Sequence, residues 1–428
     1  MKLFEPKIFT AFKNYKSKDY ISDIIAGVIV AIIALPLSIA LAIASGATPE
    51  TGLYTAIIAG FITAFLGGSK VNITGPTAAF ATIVAGIILS QGMEGLFLAT
   101  IMAGILLILM GVLRLGSLIK YIPHTITVGF TAGIAVTLVI GQLKDFLGLT
   151  YPVGTVAIET VEKLTLVFQN ISTFNPWAFA IGFLGLAILI LWPKVSKKIP
   201  GSLIAVLAGS LVCLLPFIQA NTIGSLYTIS SALPTFKLPT VTGEKILALL
   251  PSAFTIALLA GIESLLSCVV SDKMVDDKHN SNTELIALGT SNLFVGLFGG
   301  IPATGAIART AANVKNGGKS PLSGMVHAVV LLLVLVVLMP LAAYIPMPII
   351  AAILFIVAYN MSEWREFVAV IKTKKWNDIL VLVLTFALTV IFDLVKAIAV
   401  GLALHYAILL IYSLIEKRKA ANDTSTQE

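Results

Sequence analysis

Residues 299–318 read GGIPATGAIARTAANVKNGG, between apolar runs at 285–298 and 322–340. The stretch holds a proline, two glycine pairs and Arg309. Hydrocarbon tolerates neither unpaired backbone nor a lone guanidinium, so such a segment sits at membrane depth only where it faces protein or a polar cavity. A second stretch has the same character: GGSKVNITGPTAAFATI, residues 67–83. The spacing predicts a short helix after each, at 77–90 and 304–316. Neither is long enough to cross a hydrocarbon core of about 30 Å. One such interruption means little, since glycine and proline are common in membrane helices. Two at matched positions point to the binding site of a transporter built from inverted repeats.

Composition places the rest of the chain in the same setting. Of 428 residues, 58% are hydrophobic and only 11% charged, and the mean hydropathy is +1.00. A soluble domain carries about 25% charged residues. The pattern predicts an all-α polytopic membrane protein with about fourteen spans. They fall at 24–45, 52–66, 77–90, 96–113, 125–143, 176–193, 201–219, 246–268, 285–298, 304–316, 322–340, 347–361, 378–394 and 396–415. The net charge of +7 does not mark a nucleic-acid binder, because the basic residues flank the apolar runs. With both termini cytoplasmic, 22 lysines and arginines fall inside and 5 outside, with Arg309 left in the membrane. The cell (inner) membrane is the expected location. Trp177, Trp192, Trp364 and Trp376 fall at predicted span ends, where indoles settle in the interface.

The chain divides as a cytoplasmic segment 1–23, a first repeat 24–220, a connecting loop 221–245, a second repeat 246–415 and a polar, disordered tail 416–428. Seven spans per repeat is an odd number, so the second repeat enters the bilayer inverted. Ser281 and Glu284 have capping-box spacing at the start of span nine. Cys213 and Cys268 lie in apolar runs and read as small core residues. The four histidines lack ligand spacing; His124, His279 and His327 fall near predicted helix ends, and His405 reads as a packing residue. No cofactor, no metal site and no nucleotide loop or catalytic elbow is expected, so the chain is not read as an enzyme.

Few residues are left to carry chemistry. Glu263 lies deep in span eight, where hydrocarbon favours the protonated carboxyl, the property of a proton-coupling group. Ser267 follows one turn later on the same face. The alternative role for Glu263 is hydrogen-bonding glue between helices. Arg309 cannot shed its charge, so it faces a cavity, an anion or a partner such as Glu263. Helix amino ends carry free N–H groups that bind anions. Thr77, Ala78 and Ala79 open one short helix and Thr304, Gly305 and Ala306 the other, with Pro76 and Pro302 close by. In span one, Pro36 predicts a kink. Ser38 there either lines the cavity or bonds back to its own helix.

These residues sit in stretches that resemble the SulP sulfate-permease family, also called solute carrier family 26. They are DIIAGVIVAIIALPLSIALAIASGATPETGLYTAIIAG, GGSKVNITGPTAAFATI, YIPHTITVGFTAGIAV, GIESLLSCVVSDKM and HNSNTELIALGTSNLFVGLFGGIPATGAIARTAANVKNGGKSPLSG. The resemblance implies two inverted repeats of seven. Segments one to four and eight to eleven would form a core, and five to seven and twelve to fourteen a gate domain, with elevator-like alternating access. It implies a small anion held between segments three and ten by Thr77, Ala78, Thr304, Gly305 and Ala306. Leu37 and Leu41 would line the pocket, where some relatives carry Gln in place of Leu37. Glu263 matches the acidic position of segment eight; relatives with Glu there look like proton symporters, and a sodium-coupled bicarbonate branch carries Asp. Arg309 matches an arginine implicated in anion binding in animal relatives. Most of the family continue into a cytoplasmic STAS domain, and the expectation is a bacterial-type member lacking it, with a homodimer as the expected assembly. The expected function is secondary active transport of a sulfate-type oxyanion with a proton. Sodium-coupled bicarbonate or proton-coupled C4-dicarboxylate transport is the alternative, and an anion channel is the alternative of another class.

Overall fold

The computed structural model describes residues 4–12, 15–117, 123–152, 154–155, 157–196, 199–392, 397, 399–408 and 410. The chain is helical apart from two short strands. In order these are α1 Ser17–Ala44, α2 Pro49–Leu66, β1 Thr74–Gly75, α3 Ala81–Val112, α4 His124–Leu147, α5 Thr160–Gln169, α6 Pro176–Val195 and α7 Gly201–Cys213. Then follow α8 Gly243–Val275, α9 Ser281–Leu297, β2 Thr304–Gly305, α10 Ile307–Lys315, α11 Pro321–Leu338, α12 Met347–Met361, α13 Trp364–Lys372, α14 Trp376–Ile391 and α15 Ala399–Ile408. Among the described residues, eight helical stretches are long and apolar enough to cross a membrane.

Fourteen spans fit this list because α3 is two helices joined end to end. Gly92, at φ 69°, breaks its helical geometry, separating predicted spans three and four. Of the predicted final span, Ala399–Ile408 is helical; its carboxy-terminal part and the tail 416–428 lie outside the described residues, as do Lys2, Lys13, Lys120, Lys197, Lys198, Lys396, Lys417, Arg418 and Lys419. Helix α1 stays helical through Pro36, so the predicted kink leaves no break in its dihedrals. Two helices between spans, α5 and α13, were not anticipated. Both are short, about ten residues, and amphipathic, and a search for long apolar runs passes over them.

Packing sorts the helices into two groups. Helices α1, α2, α3, α8, α9, α10 and α11 pack on one another, while α4, α6, α7, α12 and α14 form the second set. The contacts come in exchanged pairs. Helix α11 lies on α1 and α2, and the second half of α3, its counterpart, is in the helix that lies on α8 and α9. That exchange is what two superposable repeats of opposite orientation produce. Helices α1, α4 and α12 meet along the seam between the groups.

The connection between repeats also bridges the groups. One end is fixed beside α12: the Ile223 N–H donates to the Ile345 carbonyl, and the Met347 N–H to the Asn221 carbonyl. The other end lies over the first group. There the Tyr54 hydroxyl donates to the Ala232 carbonyl and Thr240 donates to Glu94.

Candidate functional site

The two interrupted stretches meet. Strands β1 and β2 pair antiparallel, Thr74 opposite Gly305 and Gly75 opposite Thr304. The Ala306 N–H extends the ladder to the Ile73 carbonyl at 2.9 Å. Pairing satisfies backbone groups that the broken helices expose, which lipid could not do. Beyond β1, a 3-10 turn at Ala78–Phe80, flanked by Thr77, leads into α3. Beyond β2, Ala306 caps α10. The amino ends of both half-length helices therefore lie within three residues of one crossing.

This geometry corrects part of the sequence reading. Thr77, Ala78 and Ala79 do open their helix, but Thr304 and Gly305 do not open theirs. They are strand residues, and α10 starts at Ile307. The repeats correspond through their Thr-Gly pairs, so Pro302 has no counterpart in Pro76, which matches Ala306 instead. The Thr304 hydroxyl is used elsewhere, donating to the Ala260 carbonyl at 2.7 Å.

Arg309 lies on the first turn of α10 and is only 2% exposed. One guanidinium nitrogen donates to the Pro76 carbonyl, at the mouth of the opposite helix. Its Nε and Nη1 have no hydrogen-bond partner, and it forms no ion pair among the described residues. The expected alternative of a Glu263 salt bridge is therefore absent. Burying an arginine at membrane depth costs at least about 2.5–3.5 kcal/mol. One charge-assisted hydrogen bond returns about 1.5–3 kcal/mol. One such bond roughly offsets that cost and leaves two donor atoms idle for a further acceptor. Gly75 permits the arrangement: a Cβ there would collide with Arg309 Nη1.

Glu263 sits on the other side of the same helix mouth. It is partly buried, and its Oε2 accepts from the Thr77 hydroxyl at 3.1 Å. Pro76 and Thr77 thus place Arg309 and Glu263 on adjacent residues of one short turn. Leu41 is buried and Leu37 partly so, both in the core that includes Ala78 and Ala79. Ser38 does not bond back to its helix; its hydroxyl is buried without a partner among the described residues.

Ser267 belongs to a different network. Its hydroxyl donates to Asn72 Oδ1 at 2.7 Å, and Thr310 donates to the same oxygen at 2.9 Å. The Asn72 amide in turn donates to Glu284 Oε1 at 2.7 Å and to Ser264 at 3.3 Å. Glu284 is fully buried and also accepts from the Gly68 and Ser69 N–H groups, at 2.9 and 3.2 Å. It is not the capping-box residue its spacing suggested; Asn280 caps α9 instead. The role of Glu284 and Asn72 escaped the sequence because Gly68, Ser69 and Asn72 lie more than 200 residues from Glu284. The available signal was two polar side chains beside apolar runs. His327, expected near a helix end, is fully buried inside α11, with neither ring nitrogen hydrogen-bonded among the described residues.

Known proteins share this architecture. The family model for the sulfate permease family matches residues 20–385. The chain belongs to the sulfate permease family. The Bacillus subtilis (strain 168) protein YvdB is 46% identical over 92% of the chain, which spans 74% of that protein's length. The bicarbonate transporter BicA of Picosynechococcus sp. is 34% identical over 84% of the chain, which spans 64% of its length. Among solved structures, the transmembrane domain of a cyanobacterial BicA superposes with a TM-score of 0.80. It is 31% identical, over 90% of this chain and 98% of that one. The inward-facing structure of the murine Solute Carrier 26 family member A9 gives a TM-score of 0.86 at 20% identity, over 96% of this chain and 71% of that one. The last likeness concerns the fold. As a sulfate permease family member, the chain is an integral membrane protein with fourteen segments in seven-plus-seven order.

Proposed function

We propose that this chain is a secondary active transporter of small anions, with a sulfate-type oxyanion as substrate and a proton as coupling ion. The observation that carries the reading is Arg309: a buried cation with two unused donors, set against the amino end of the opposite half-length helix. An oxyanion would take those donors and the field of the helix mouth together. Thr77, Ala78, Ala79 and Ala306 would line its path with Leu37 and Leu41; Thr304 and Gly305 would hold the crossing rather than touch the anion. Glu263 would carry the proton, through the Thr77 hydroxyl that it shares with the site. Ser267 would hold Asn72 in place rather than exchange a proton.

Two inverted repeats joined through 221–245 would supply alternating access, with the first helix group moving against the second, and with both termini on the cytoplasmic side of the cell membrane. Bicarbonate with sodium is the second reading, favoured by the 34% identity to a named bicarbonate transporter.

The test is uptake of labelled sulfate, bicarbonate and succinate into proteoliposomes, under imposed pH or sodium gradients. Concentrative sulfate uptake driven by an inward proton gradient is expected. Ungated conductance would replace the transporter with a channel, and no flux of any of the three would end the proposal.

A further inference from the structure

Helix α13 joins the end of span α12 to the start of span α14, through residues 362–375. Two residues in the left-handed region, Glu363 at φ 45° and Lys374 at φ 57°, turn the chain at either end of it. Its inner face is held by protein. Phe367 packs edge-on against Phe386 of α14, with ring centroids 5.5 Å apart, and α13 also packs on α4. The helix therefore rides with the second group.

Its outer surface is divided. Trp364, Val368 and Ile371 follow one another at helical spacing, and all three are exposed. Arg365 and Lys372, two turns apart, share the flank beside that apolar stripe, while Glu366 lies away from it round the helix. Lys374 and Lys375 come next, then Trp376, which is 72% exposed. The four cations are exposed too, and none forms an ion pair among the described residues. An exposed apolar stripe with a basic flank and an indole at either end is the pattern of a helix lying in the bilayer interface. Spans on both sides of α13 keep it at that level. Zwitterionic lipid would accommodate the tryptophans, but it brings no net charge to set against four cations.

The geometry points to a docking surface for anionic phospholipid, on which Trp364, Val368 and Ile371 seat α13 in the interface and Arg365, Lys372, Lys374 and Lys375 gather acidic headgroups. In the orientation proposed above, this surface meets the cytoplasmic leaflet. A basic residue close to an anionic surface strengthens association about fivefold, and salt weakens the effect. Lipid held there would fix the depth of the second helix group in the bilayer. The inference needs only the membrane setting and is independent of what the chain carries.

The test uses the full chain in nanodiscs of phosphatidylcholine with a minor fraction of phosphatidylglycerol, each lipid brominated in turn. The chain has four tryptophans, so Trp177→Phe and Trp192→Phe leave Trp364 and Trp376 as the reporters. At matched mole fraction, brominated phosphatidylglycerol should quench them with an apparent association at least about fivefold above that of brominated phosphatidylcholine, and high salt should shrink the ratio. Replacing Arg365, Lys372, Lys374 and Lys375 together by Gln, all at exposed positions, should bring the ratio close to one. The same change of charge at the exposed Lys18, Lys194, Lys237 and Lys315 should leave it in place. Equal quenching by the two lipids, a ratio that survives the first set of substitutions, or an equal loss with the second set overturns the lipid site. If neither lipid quenches, the face stands off the bilayer and meets a soluble partner, and the proposal falls.

Discussion

The Thr77 hydroxyl donates to Glu263 Oε2 at 3.1 Å, joining residues 186 positions apart. The bond ties the mouth of one half-length helix to the acid in the middle of α8. Glu263→Gln keeps an acceptor for Thr77 but has no proton to exchange. Proton-driven accumulation should disappear, while anion exchange at equal pH stays within about threefold of wild type. Exchange assays with and without a pH gradient check this. Glu162→Gln, on an exposed helix face, serves as the control and should change neither.

Arg309 offers planar, paired donors that lysine cannot imitate. Arg309→Met should lower uptake at least about 100-fold, and Arg309→Lys about 10-fold or more, since one charged hydrogen bond is worth about 1.5–3 kcal/mol. Anion binding measured calorimetrically should fall in parallel with uptake.

Gly75→Ala tests the same site from the opposite strand. The new methyl group would collide with Arg309 Nη1, and the guanidinium is buried. Overpacking of this kind costs about 1–3 kcal/mol. The variant should insert and fold with a lowered unfolding temperature, and should match Arg309→Met in uptake.

Glu284→Ala would leave the Gly68 and Ser69 N–H groups and the Asn72 amide short of an acceptor in a buried site. Unsatisfied buried donors cost about 1–3 kcal/mol each, though not additively. Thermal unfolding in detergent should show a clear loss of stability, smaller for Glu284→Gln.

Much of this was legible in the sequence because membrane helices announce themselves by length and apolarity. The span order, the two half-length helices and the singling out of Glu263 and Arg309 follow from residue type and spacing alone. What escaped depends on contacts across the chain. Thr304 and Gly305 read as a helix start because glycine and threonine suit caps, yet pairing with Thr74 and Gly75 makes them strand. Ser267 shares a helix face with Glu263, but Asn72 and Thr310 claim its hydroxyl. Glu284 has the local spacing of a capping box and instead serves amides of another segment.

The amino-terminal segment should be acid-labile. Lys7 lies 3.0 Å and Lys70 3.2 Å from Asp277. Burial pushes the Asp277 carboxyl up, but hydrogen bonds from Lys7, the Lys278 backbone and Lys70 outweigh it and hold the pKa below the usual value. A depressed folded-state pKa stabilises fully above the unfolded value, about 3.9, and the gain is lost as pH falls through the folded value. Amide protection factors at residues 4–12, corrected for the intrinsic exchange rate, should therefore fall below about pH 4. Asp277→Asn should show that lower protection already at neutral pH.

The strap between the repeats is moored to one helix group at Ile223 and to the other at Ala232. With the turn Ile223–Leu226 intact, only the six steps from Leu226 to Ala232 can pay out. At most about 3.6 Å per residue, that is a total reach of roughly 20 Å between the two moorings. On the transport reading proposed above, the moorings would cap how far one group travels against the other, and shortening the strap by a few residues should arrest the cycle with the binding site still intact.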